Sequence, residues 1–269
     1  MNLIWLTDLH LDQATITVRT QFLESLSCAQ FDAAVITGDI SDAAHLPSDL
    51  LALSRACGNR AVYFVLGNHD FHGSSFASVD AAVASVCVQQ TNLRHLGSQN
   101  ETGIIPLGND TALVGHRGWA DARAGSGADS PLHNPDTDLI EDFLGASFKA
   151  RFERMRELGE ASACHFRKVL PYALASYRHV YAATHVPPFV EAAIYNGKLC
   201  GRNHRPFYTN VSAGGVIRPI GNRFPRKRLT VLCGHTHHAA HVNVSANVEV
   251  FAGRVRPGHP RPQVVFTAH

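Results

Sequence analysis

Six short runs of apolar residues recur along the chain and constrain its fold more than any other feature of the sequence. The runs are Leu3–Leu6, Ala33–Thr37, Ala61–Leu66, Thr111–Val114, His179–Ala183 and Leu229–Cys233. Their length and their content of valine, isoleucine, leucine and aromatic residues are typical of buried β-strands. Between the early runs, Val18, Phe22 and Leu26 follow one another at helical spacing. This alternation of strand and helix predicts a layered α/β protein.

Side chains that commonly bind metals follow five of these runs directly. They are Asp8 with His10, Asp39, Asn68 with His69 and Asp70, His185, and His235 with His237. Because ligands of α/β sheets bind beyond the carboxyl ends of the strands, we expect these side chains to cluster. The pairs Asp8/His10 and His235/His237 are two residues apart, and on extended backbone such side chains point the same way. A glycine directly precedes three of the blocks and permits the sharp turn that a strand-end loop needs.

The kinds of ligand indicate which ions the site binds. Carboxylate and imidazole groups without thiolates suit manganese, with iron, zinc or nickel as alternatives, rather than a structural zinc site. Seven ligands are too many for one tetrahedral ion but fit two divalent ions that share a carboxylate; they are Asp8, His10, Asp39, Asn68, His185, His235 and His237. Two such ions against two carboxylates leave a positively charged site, which favours an anionic substrate such as a phosphate ester.

Composition argues against several other classes of protein. Apolar residues make up 45% of the chain and charged residues 17%, which suits a globular protein with a sizeable core. No segment approaches the run of about eighteen apolar residues that a membrane helix needs, and the N-terminus lacks the basic start of a signal peptide. We therefore expect no membrane partner. The six cysteines form no CxxC pair, so we expect reduced thiols and a cytoplasmic location. The net charge of +2 is too small to indicate a particular class of binding partner.

The second half of the chain differs from the first. Residues 137–176 predict a helical insertion between strands, whose clearest helix has one apolar stripe made of Leu139, Ile140, Phe143, Leu144, Phe148, Phe152 and Met155. Asp136, Thr137 and Asp138 are suitable caps for its start. The insertion is compatible with a role in core packing, as a lid or as a dimer interface, so the sequence does not predict an oligomeric state. Residues 186–228 are rich in Pro, Gly, Asn, Arg and aromatic residues, which predicts long loops over the cleft with one short helix.

The five blocks together resemble the signature of the calcineurin-like metallophosphoesterases, in which DxH, GD, GNH with Asp or Glu, a lone His and GHxH follow in order. This chain has Asp8-Leu9-His10, Gly38-Asp39, Gly67-Asn68-His69-Asp70, His185 and Gly234-His235-Thr236-His237. The resemblance extends over residues 8–237, although only the lone histidine covers 117–228. It implies one domain over residues 1–269, folded as a four-layer α/β/β/α sandwich of two mixed β-sheets, with the site at the C-terminal edges of the sheets.

The resemblance also implies a role for each residue of the blocks. Asp8, His10, Asp39 and His237 would hold one metal ion, and Asn68, His185 and His235 the second, with Asp39 bridging the two. In such two-metal sites a bridging hydroxide, formed from water, attacks phosphorus in line. His69 would point at the leaving oxygen and stabilise its charge or donate a proton. Asp70 would either orient His69 or cap the helix that follows.

Four further residues are candidates for contacts with the substrate. His116 follows the Thr111–Val114 run and belongs to the same edge of the predicted sheet. Tyr195, Arg202 and Arg205 belong to the loop after His185, which we expect to reach over the cleft.

These observations predict an enzyme that hydrolyses a small phosphomonoester or phosphodiester at a dinuclear metal centre. A nuclease is the first alternative, because eight basic residues and no acidic residue occur between Glu191 and Glu249. Phe207, Tyr208 and Phe224 in this window are candidates for stacking on bases. The low net charge argues against a dedicated nucleic-acid binder. A non-catalytic scaffold is the least favoured alternative. Inactive members of the family usually lose metal ligands, and this chain keeps all of them.

Overall fold

The computed structural model describes residues 1–97 and 103–268 of the chain. Its strands are β1 Asn2–Leu6, β2 Ala33–Thr37, β3 Ala61–Val65, β4 Leu93–His95, β5 Ile105–Pro106, β6 Thr111–Gly115, β7 His179–Ala183, β8 Ile194–Tyr195, β9 Lys198–Leu199, β10 Arg228–Cys233, β11 Ala240–Ser245, β12 Val248–Ala252 and β13 Val264–Thr267. Its α-helices are α1 Ile16–Cys28, α2 Leu46–Cys57, α3 Phe76–Gln89, α4 Asp136–Leu139, α5 Phe148–Ser176, α6 Arg205–Tyr208 and α7 Val211–Asn222. Short 3-10 helices occur at His69–Phe71, Gly127–Asp129, Glu141–Phe143 and Val190–Ala192. All the strands predicted from the apolar runs are present, as β1, β2, β3, β6, β7 and β10.

Two mixed sheets contain most of these strands. The first has the order β13-β1-β2-β3-β4, in which β1 to β4 are parallel and β13 is antiparallel to β1. The second has the order β11-β12-β10-β7-β6-β5, in which the four central strands are parallel and both edge strands are antiparallel. Strands β8 and β9 form a separate hairpin. The parallel strands therefore bring their carboxyl ends to one edge of each sheet.

Neighbouring side chains on β1 enter different cores, because successive residues of a strand point to opposite faces of the sheet. Leu3 and Trp5 pack between the two sheets, together with residues of the second sheet such as Leu232. Ile4 and Leu6 pack against α1, α2 and α3 in a second core. A third core lies between the other face of the second sheet and helices α5 and α7. The order helix, sheet, sheet, helix confirms the predicted four-layer α/β/β/α sandwich.

The helical region after residue 136 differs from its prediction. Instead of one helix from about residue 137, α4, a 3-10 turn and α5 follow one another. Gly145, with a φ of 69°, interrupts the helical path, and the Ser147 side chain caps α5. The apolar stripe is therefore divided: Ile140, Phe143, Phe152 and Met155 are buried, whereas Leu139, Leu144 and Phe148 are exposed. Helix α5 extends over 29 residues, yet none of the helices in the described ranges has both the length and the apolar character needed to cross a membrane.

The region 186–228 is more regular than its composition predicts. The prediction of long loops with one short helix is wrong, because a helix of 12 residues, α7, follows the short α6. Gly214, Pro219 and Gly221 within α7 weaken the helical signal in the sequence. The two glycines allow close packing: an added Cβ would lie 2.0 Å from the Pro188 carbonyl oxygen at Gly214 and 2.4 Å from Val248 Cγ2 at Gly221. Tertiary packing therefore outweighs the weak local propensity.

Arg60 joins the ends of two helices that cover the first sheet. Its side chain donates to the carbonyl oxygens of Cys57 at 2.8 Å and Ala56 at 3.1 Å, in the last turn of α2. A further N–H group donates to the carbonyl oxygen of Ala29 at 2.8 Å, just beyond α1. The guanidinium group also lies over the ring of Phe31, 3.9 Å from its centroid. Because the last carbonyl groups of a helix lack partners inside it, Arg60 supplies donors that both helix ends need.

We expect the substitution Arg60→Met to lower the free energy of unfolding by about 1–3 kcal/mol, because it removes a charged donor from these carbonyl groups. Urea denaturation followed by circular dichroism measures the change. Arg178→Met is the matched control, since the Arg178 side chain is 81% exposed and its ion pair with Asp110 spans 3.9 Å. For that control we expect a change within about 0.5 kcal/mol. Equal effects of the two substitutions would contradict the role assigned to Arg60.

Candidate metal centre

Side chains from the loops that follow five strands meet at the edges of the two sheets. The strands are β1, β2 and β3 of the first sheet and β7 and β10 of the second. Among the described residues, two groups of potential ligands have all their donor atoms within 4.8 Å of one another. One group comprises Asp8, His10, Asp39 and His237, and the other Asp39, His185 and His235. The structure thus brings the predicted carboxylate and imidazole ligands together, and the predicted ligand Asn68 adjoins the second group.

The first group presents imidazole nitrogens and carboxylate oxygens to a common point. The Nε2 atoms of His10 and His237 are 3.2 Å apart. His10 Nε2 lies 3.8 Å from Asp39 Oδ2, and His237 Nε2 lies 3.5 Å from Asp8 Oδ1. An ion with bonds of about 2.0–2.2 Å holds its ligand atoms roughly 3–4 Å apart, and these separations match that range.

The second group shares Asp39 with the first through the other carboxylate oxygen. His185 Nε2 lies 3.3 Å from Asp39 Oδ1 and 3.2 Å from His235 Nδ1. The Asn68 Oδ1 atom is 3.0 Å from His185 Nε2 and 2.9 Å from His235 Nδ1. One carboxylate oxygen, one amide oxygen and two imidazole nitrogens therefore face one another here.

Backbone carbonyl groups direct the lone pairs of two histidines into the second group. His185 Nδ1 donates to the carbonyl oxygen of Thr37 at 2.8 Å, and His235 Nε2 donates to that of Phe207 at 2.7 Å. In the neutral form each ring therefore carries its proton on the nitrogen that faces away from Asn68. The other nitrogen keeps its lone pair toward the cluster, which is the arrangement that metal-binding histidines require.

Burial and charge make the cluster attractive to cations. Burial raises the pKa of Asp8. Burial also disfavours ionisation of Asp39, but the nearby histidines, led by His185, together outweigh burial and hold the pKa of Asp39 well below its usual range. Burial lowers the pKa of His185, yet the carboxylates of Asp39 and Asp8 raise that pKa to about 10. Burial lowers the pKa of His10 to about 3 and that of His235 to about 4, so both imidazoles are neutral. Neutral imidazoles beside buried carboxylates fit divalent cations in donor type and in charge.

Five of the candidate ligands have a left-handed backbone that residues other than glycine rarely adopt. The φ angle is 46° at Asp8, 42° at His10, 51° at Asp39, 69° at His235 and 58° at His237. The pairs Asp8/His10 and His235/His237 therefore converge through left-handed turns, and the prediction of extended backbone is wrong for them. Each such residue costs on the order of 1–3 kcal/mol, and this kind of strain concentrates at functional sites.

Asp70 has a different role from the two that were predicted for it. Its fully buried carboxylate accepts from the backbone N–H groups of Asp39 at 3.0 Å, Ile40 at 2.8 Å, Ser41 at 3.0 Å and Gly67 at 2.7 Å. The hydrogen bonds of the described residues include none between Asp70 and His69, and Ser75 rather than Asp70 caps the next helix, α3. Asp70 instead ties the loop after β2 to the loop after β3, which fixes the backbone of Asp39.

The glycines of the blocks provide room for ligands as well as turns. Only Gly38 of the three has a positive φ, 89°, as a sharp turn requires. An added Cβ at Gly67 would lie 2.1 Å from Asp39 Oδ1, and one at Gly234 would lie 2.0 Å from Asp8 Oδ2. At Gly67 and Gly234 the absence of a side chain therefore allows a carboxylate to lie against the backbone.

His69 lies beside the first group without belonging to either group. Its backbone N–H donates to Asp39 Oδ1 at 2.9 Å. The centroid of its half-buried ring is 4.6 Å from that of His10 and 4.3 Å from that of His72. This location suits a group that acts on a substrate bound at the centre, and the catalytic role of His69 stays a prediction.

The His116 side chain lies apart from the ligand groups. Its Nδ1 atom accepts from the backbone N–H of Gly118 at 3.2 Å, and its ring centroid is 5.3 Å from that of His165. His116 lines a cavity of about 890 Å³, and the described residues around that cavity include none of the predicted ligands. The structure therefore gives no support to a contact between His116 and a substrate at the centre.

The other predicted substrate contacts differ in their surroundings. The exposed ring of Tyr195 stands edge-on to His238, with 4.9 Å between centroids, and His238 directly follows a candidate ligand. Arg205 Nε donates to the carbonyl oxygen of Cys200 at 3.0 Å, whereas the Arg202 side chain is exposed. Tyr195 is thus close to the GHxH block, and Arg205 helps to hold its own loop together.

Contacts that the sequence does not predict complete the surroundings of the ligands. Asp136 accepts from Asn68 Nδ2 at 2.9 Å. The ring of Tyr208 lies 5.2 Å from that of His235, next to the carbonyl group of Phe207 that fixes the same histidine. Asp136 and Phe207 are 68 and 28 residues from the ligands they contact, so no local spacing identifies them. In the sequence Asp136 is recognisable only as a possible helix cap.

The four-layer sandwich and the carboxylate and imidazole cluster at its strand ends define a class of protein, the metal-dependent phosphoesterases. The model of the family described as calcineurin-like phosphoesterase matches residues 1–239, and the chain belongs to that family. This match confirms the resemblance that the five sequence blocks indicate.

Solved structures share the fold. A dimetal phosphatase from Danio rerio aligns with a TM-score of 0.58 and 12% identity, over 94% of this chain and 87% of that chain. The protein TT1561 of Thermus thermophilus aligns with a TM-score of 0.52 and 12% identity, over 94% of this chain and 88% of that chain. At this level of identity the likeness concerns the fold alone. A comparison with curated protein sequences finds no match.

We expect Gly234→Ala to reduce metal binding by more than about tenfold, because the new Cβ would displace the Asp8 carboxylate from the first group. Elemental analysis after dialysis against manganese, with thermal unfolding recorded in parallel, measures the effect. Gly215→Ala is the matched control, since nothing lies within 4 Å of an added Cβ in that part of α7. We expect the control to keep its metal and to gain up to about 1 kcal/mol of stability. Normal metal content in the Gly234 variant would contradict the close approach of the Asp8 carboxylate to Gly234.

Proposed function

We propose that this metal-dependent phosphoesterase acts on a small phosphomonoester or phosphodiester at a centre of two divalent ions. The observation that carries the proposal is the position of Asp39, whose Oδ2 faces His10 and whose Oδ1 faces His185. One carboxylate thus adjoins both ligand groups, as a ligand shared by two ions does. Membership of the calcineurin-like phosphoesterase family supports the reaction, and the two groups of potential ligands support the number of ions.

The assignment of ligands follows the two groups. We assign Asp8, His10 and His237 to the first ion, Asn68, His185 and His235 to the second, and Asp39 to both. Manganese is the ion that we propose, with iron, zinc or nickel as alternatives, because oxygen and imidazole donors accept all of them. When bound, such ions would act as Lewis acids and would lower the pKa of a bound water molecule.

His69 is the proposed catalytic residue. Its ring packs against His10 of the first group, and its half-buried position leaves it access to a bound ester. An imidazole so placed can donate a proton to the leaving oxygen or stabilise the charge that develops on it. Asp70 and Asp39 hold the backbone around it through hydrogen bonds at 2.7 Å to Gly67 and 2.9 Å to His69.

The remaining surroundings favour a small substrate over a nucleic acid. Arg218 pairs with Glu191 at 2.9 Å, and Arg228 Nε donates to Glu249 at 2.7 Å. The two acidic residues that border the basic window thus reduce its charge. We also propose a reduced, cytoplasmic environment, because the six cysteines form no CxxC pair in the sequence.

An assay of metal-stripped protein tests the proposal. Manganese, zinc, iron or nickel is added back in turn, and turnover is measured with p-nitrophenyl phosphate and bis-p-nitrophenyl phosphate. With manganese we expect about two ions per chain and hydrolysis of at least one ester. We expect His69→Ala to keep its metal while kcat falls about 10²- to 10⁴-fold, because proton transfer to the leaving group is lost. His133→Ala, a histidine with a 61% exposed side chain, should leave kcat unchanged.

Each alternative function has its own signature in these experiments. A protein that binds about two ions but hydrolyses neither the esters nor an oligonucleotide would match a scaffold. Cleavage of an oligonucleotide, with affinity that falls steeply as salt increases, would identify a nuclease that contacts several phosphates. A protein that binds no metal would show that the two ligand groups are not a metal centre.

A further inference from the structure

One buried carboxylate outside the candidate ligand set contacts the centre directly. Asp136 begins α4 and is 7% exposed. Its Oδ1 atom accepts two hydrogen bonds, from Asn68 Nδ2 at 2.9 Å and from His72 Nε2 at 2.8 Å.

The first of these bonds decides which end of the Asn68 amide faces the cluster. An asparagine side chain has an oxygen that accepts and a nitrogen that donates, and the two ends exchange when the amide flips. An ionised carboxylate only accepts, so Asp136 retains the NH₂ end. The Asn68 oxygen is thereby left within 3.0 Å of His185 Nε2 and 2.9 Å of His235 Nδ1, where a cation needs an oxygen donor. A flipped amide would present N–H groups to the cation and repel it.

The second bond reaches the proposed catalytic histidine through its neighbour. His72 donates to Asp136, and the centroid of its ring lies 4.3 Å from that of His69. The carboxylate therefore fixes the orientation of a ring that packs against His69. A single side chain thus constrains a ligand of the second group and the ring beside the first.

The fold delivers Asp136 to this place from a segment that is distant in sequence. The backbone N–H of Gly73 donates to the Leu139 carbonyl at 2.7 Å, and that of Glu141 donates to the Ser74 carbonyl at 3.0 Å. Nearby, Phe143 is buried in the core between the first sheet and its helices. The segment that carries Asp136 is therefore fastened along the loop that carries Asn68 and His72.

We propose that Asp136 is a positioning residue with two branches: it orients Asn68 toward the second ion and, through His72, holds His69 in place. The inference rests on the proposed two-ion function. The inference adds that binding of the second ion depends on Asp136, a carboxylate outside the ligand set, whereas binding of the first ion does not.

Calorimetric titration of metal-free protein with manganese tests the branch through Asn68. We expect the wild type to bind two ions, and Asp136→Asn to bind the second ion about 10- to 100-fold more weakly with the first ion unchanged. Asp138→Asn is the matched control, because it removes the same charge from the same short helix at a side chain that is 55% exposed. Both affinities of that control should equal those of the wild type.

Measurement of kcat at saturating manganese tests the branch through His72. At saturating manganese, which refills the second position, we expect Asp136→Asn to regain only part of its kcat. His72→Phe keeps the ring but loses the donor; we expect it to show the same residual loss of kcat, with both metal affinities intact. Asp136→Glu keeps the charge, and its affinity for the second ion should lie between those of the Asn variant and the wild type. If Asp136→Asn does not fold, the metal affinities of Asp136→Glu test the inference instead.

The possible results separate the inference from the proposed function. Equal loss of both ions in a folded Asp136 variant, or an unchanged second affinity, would overturn the role of Asp136. An unaltered kcat in His72→Phe would overturn the second branch. A wild type that binds two ions but hydrolyses neither ester would overturn the proposed function, and a selective loss of the second ion in Asp136→Asn would still support the inference.

Discussion

The carboxylate of Asp39, buried between the edges of the two sheets, is the group on which the rest of the centre depends. Its two oxygens face different ligand groups, and its backbone has a φ of 51°. A buried charge is stable only with partners of opposite charge or with hydrogen-bond donors. The charged partner of Asp39 within the protein is His185. Burial lowers the pKa of His185, but the carboxylates of Asp39 and Asp8 raise it to about 10. Divalent cations bound by the candidate ligands would supply the same compensation.

The strain at the strand ends persists because the surrounding fold determines it. The Asp70 carboxylate accepts hydrogen bonds from four backbone N–H groups in the loops after β2 and β3. Such bonds to a buried carboxylate are worth more than neutral ones, and they offset part of the cost of left-handed backbone. Gly67 and Gly234 remove the side chains that would otherwise collide with Asp39 and Asp8. The rigid sandwich thus holds ligands in conformations that a short peptide would rarely adopt.

Agreement between sequence and structure is best where the signal is local. The strands that carry the ligands were predictable because a buried strand needs only a short apolar run, and β2 and β7 coincide with their runs. The prediction fails where packing overrides propensity. Gly214, Pro219 and Gly221 conceal α7. The stripe from Leu139 to Met155 divides among α4, a 3-10 turn and α5, because Gly145 turns the chain before α5. The predicted helix-cap role of Asp70 is wrong, because Ser75 caps α3 and the amides that Asp70 binds belong mainly to another strand-end loop.

The sequence by itself determined the candidate ligands, their likeness to one family and the alternation of strand and helix, because each depends on residues a few positions apart. Only the tertiary structure decided how these pieces act together. It showed that one carboxylate serves two ligand groups, that backbone carbonyls set the histidine tautomers, and that Asp136 holds Asn68 from 68 residues away. The physical reason is that hydrogen bonds and buried charges depend on distance in space, which the order of residues along the chain does not specify.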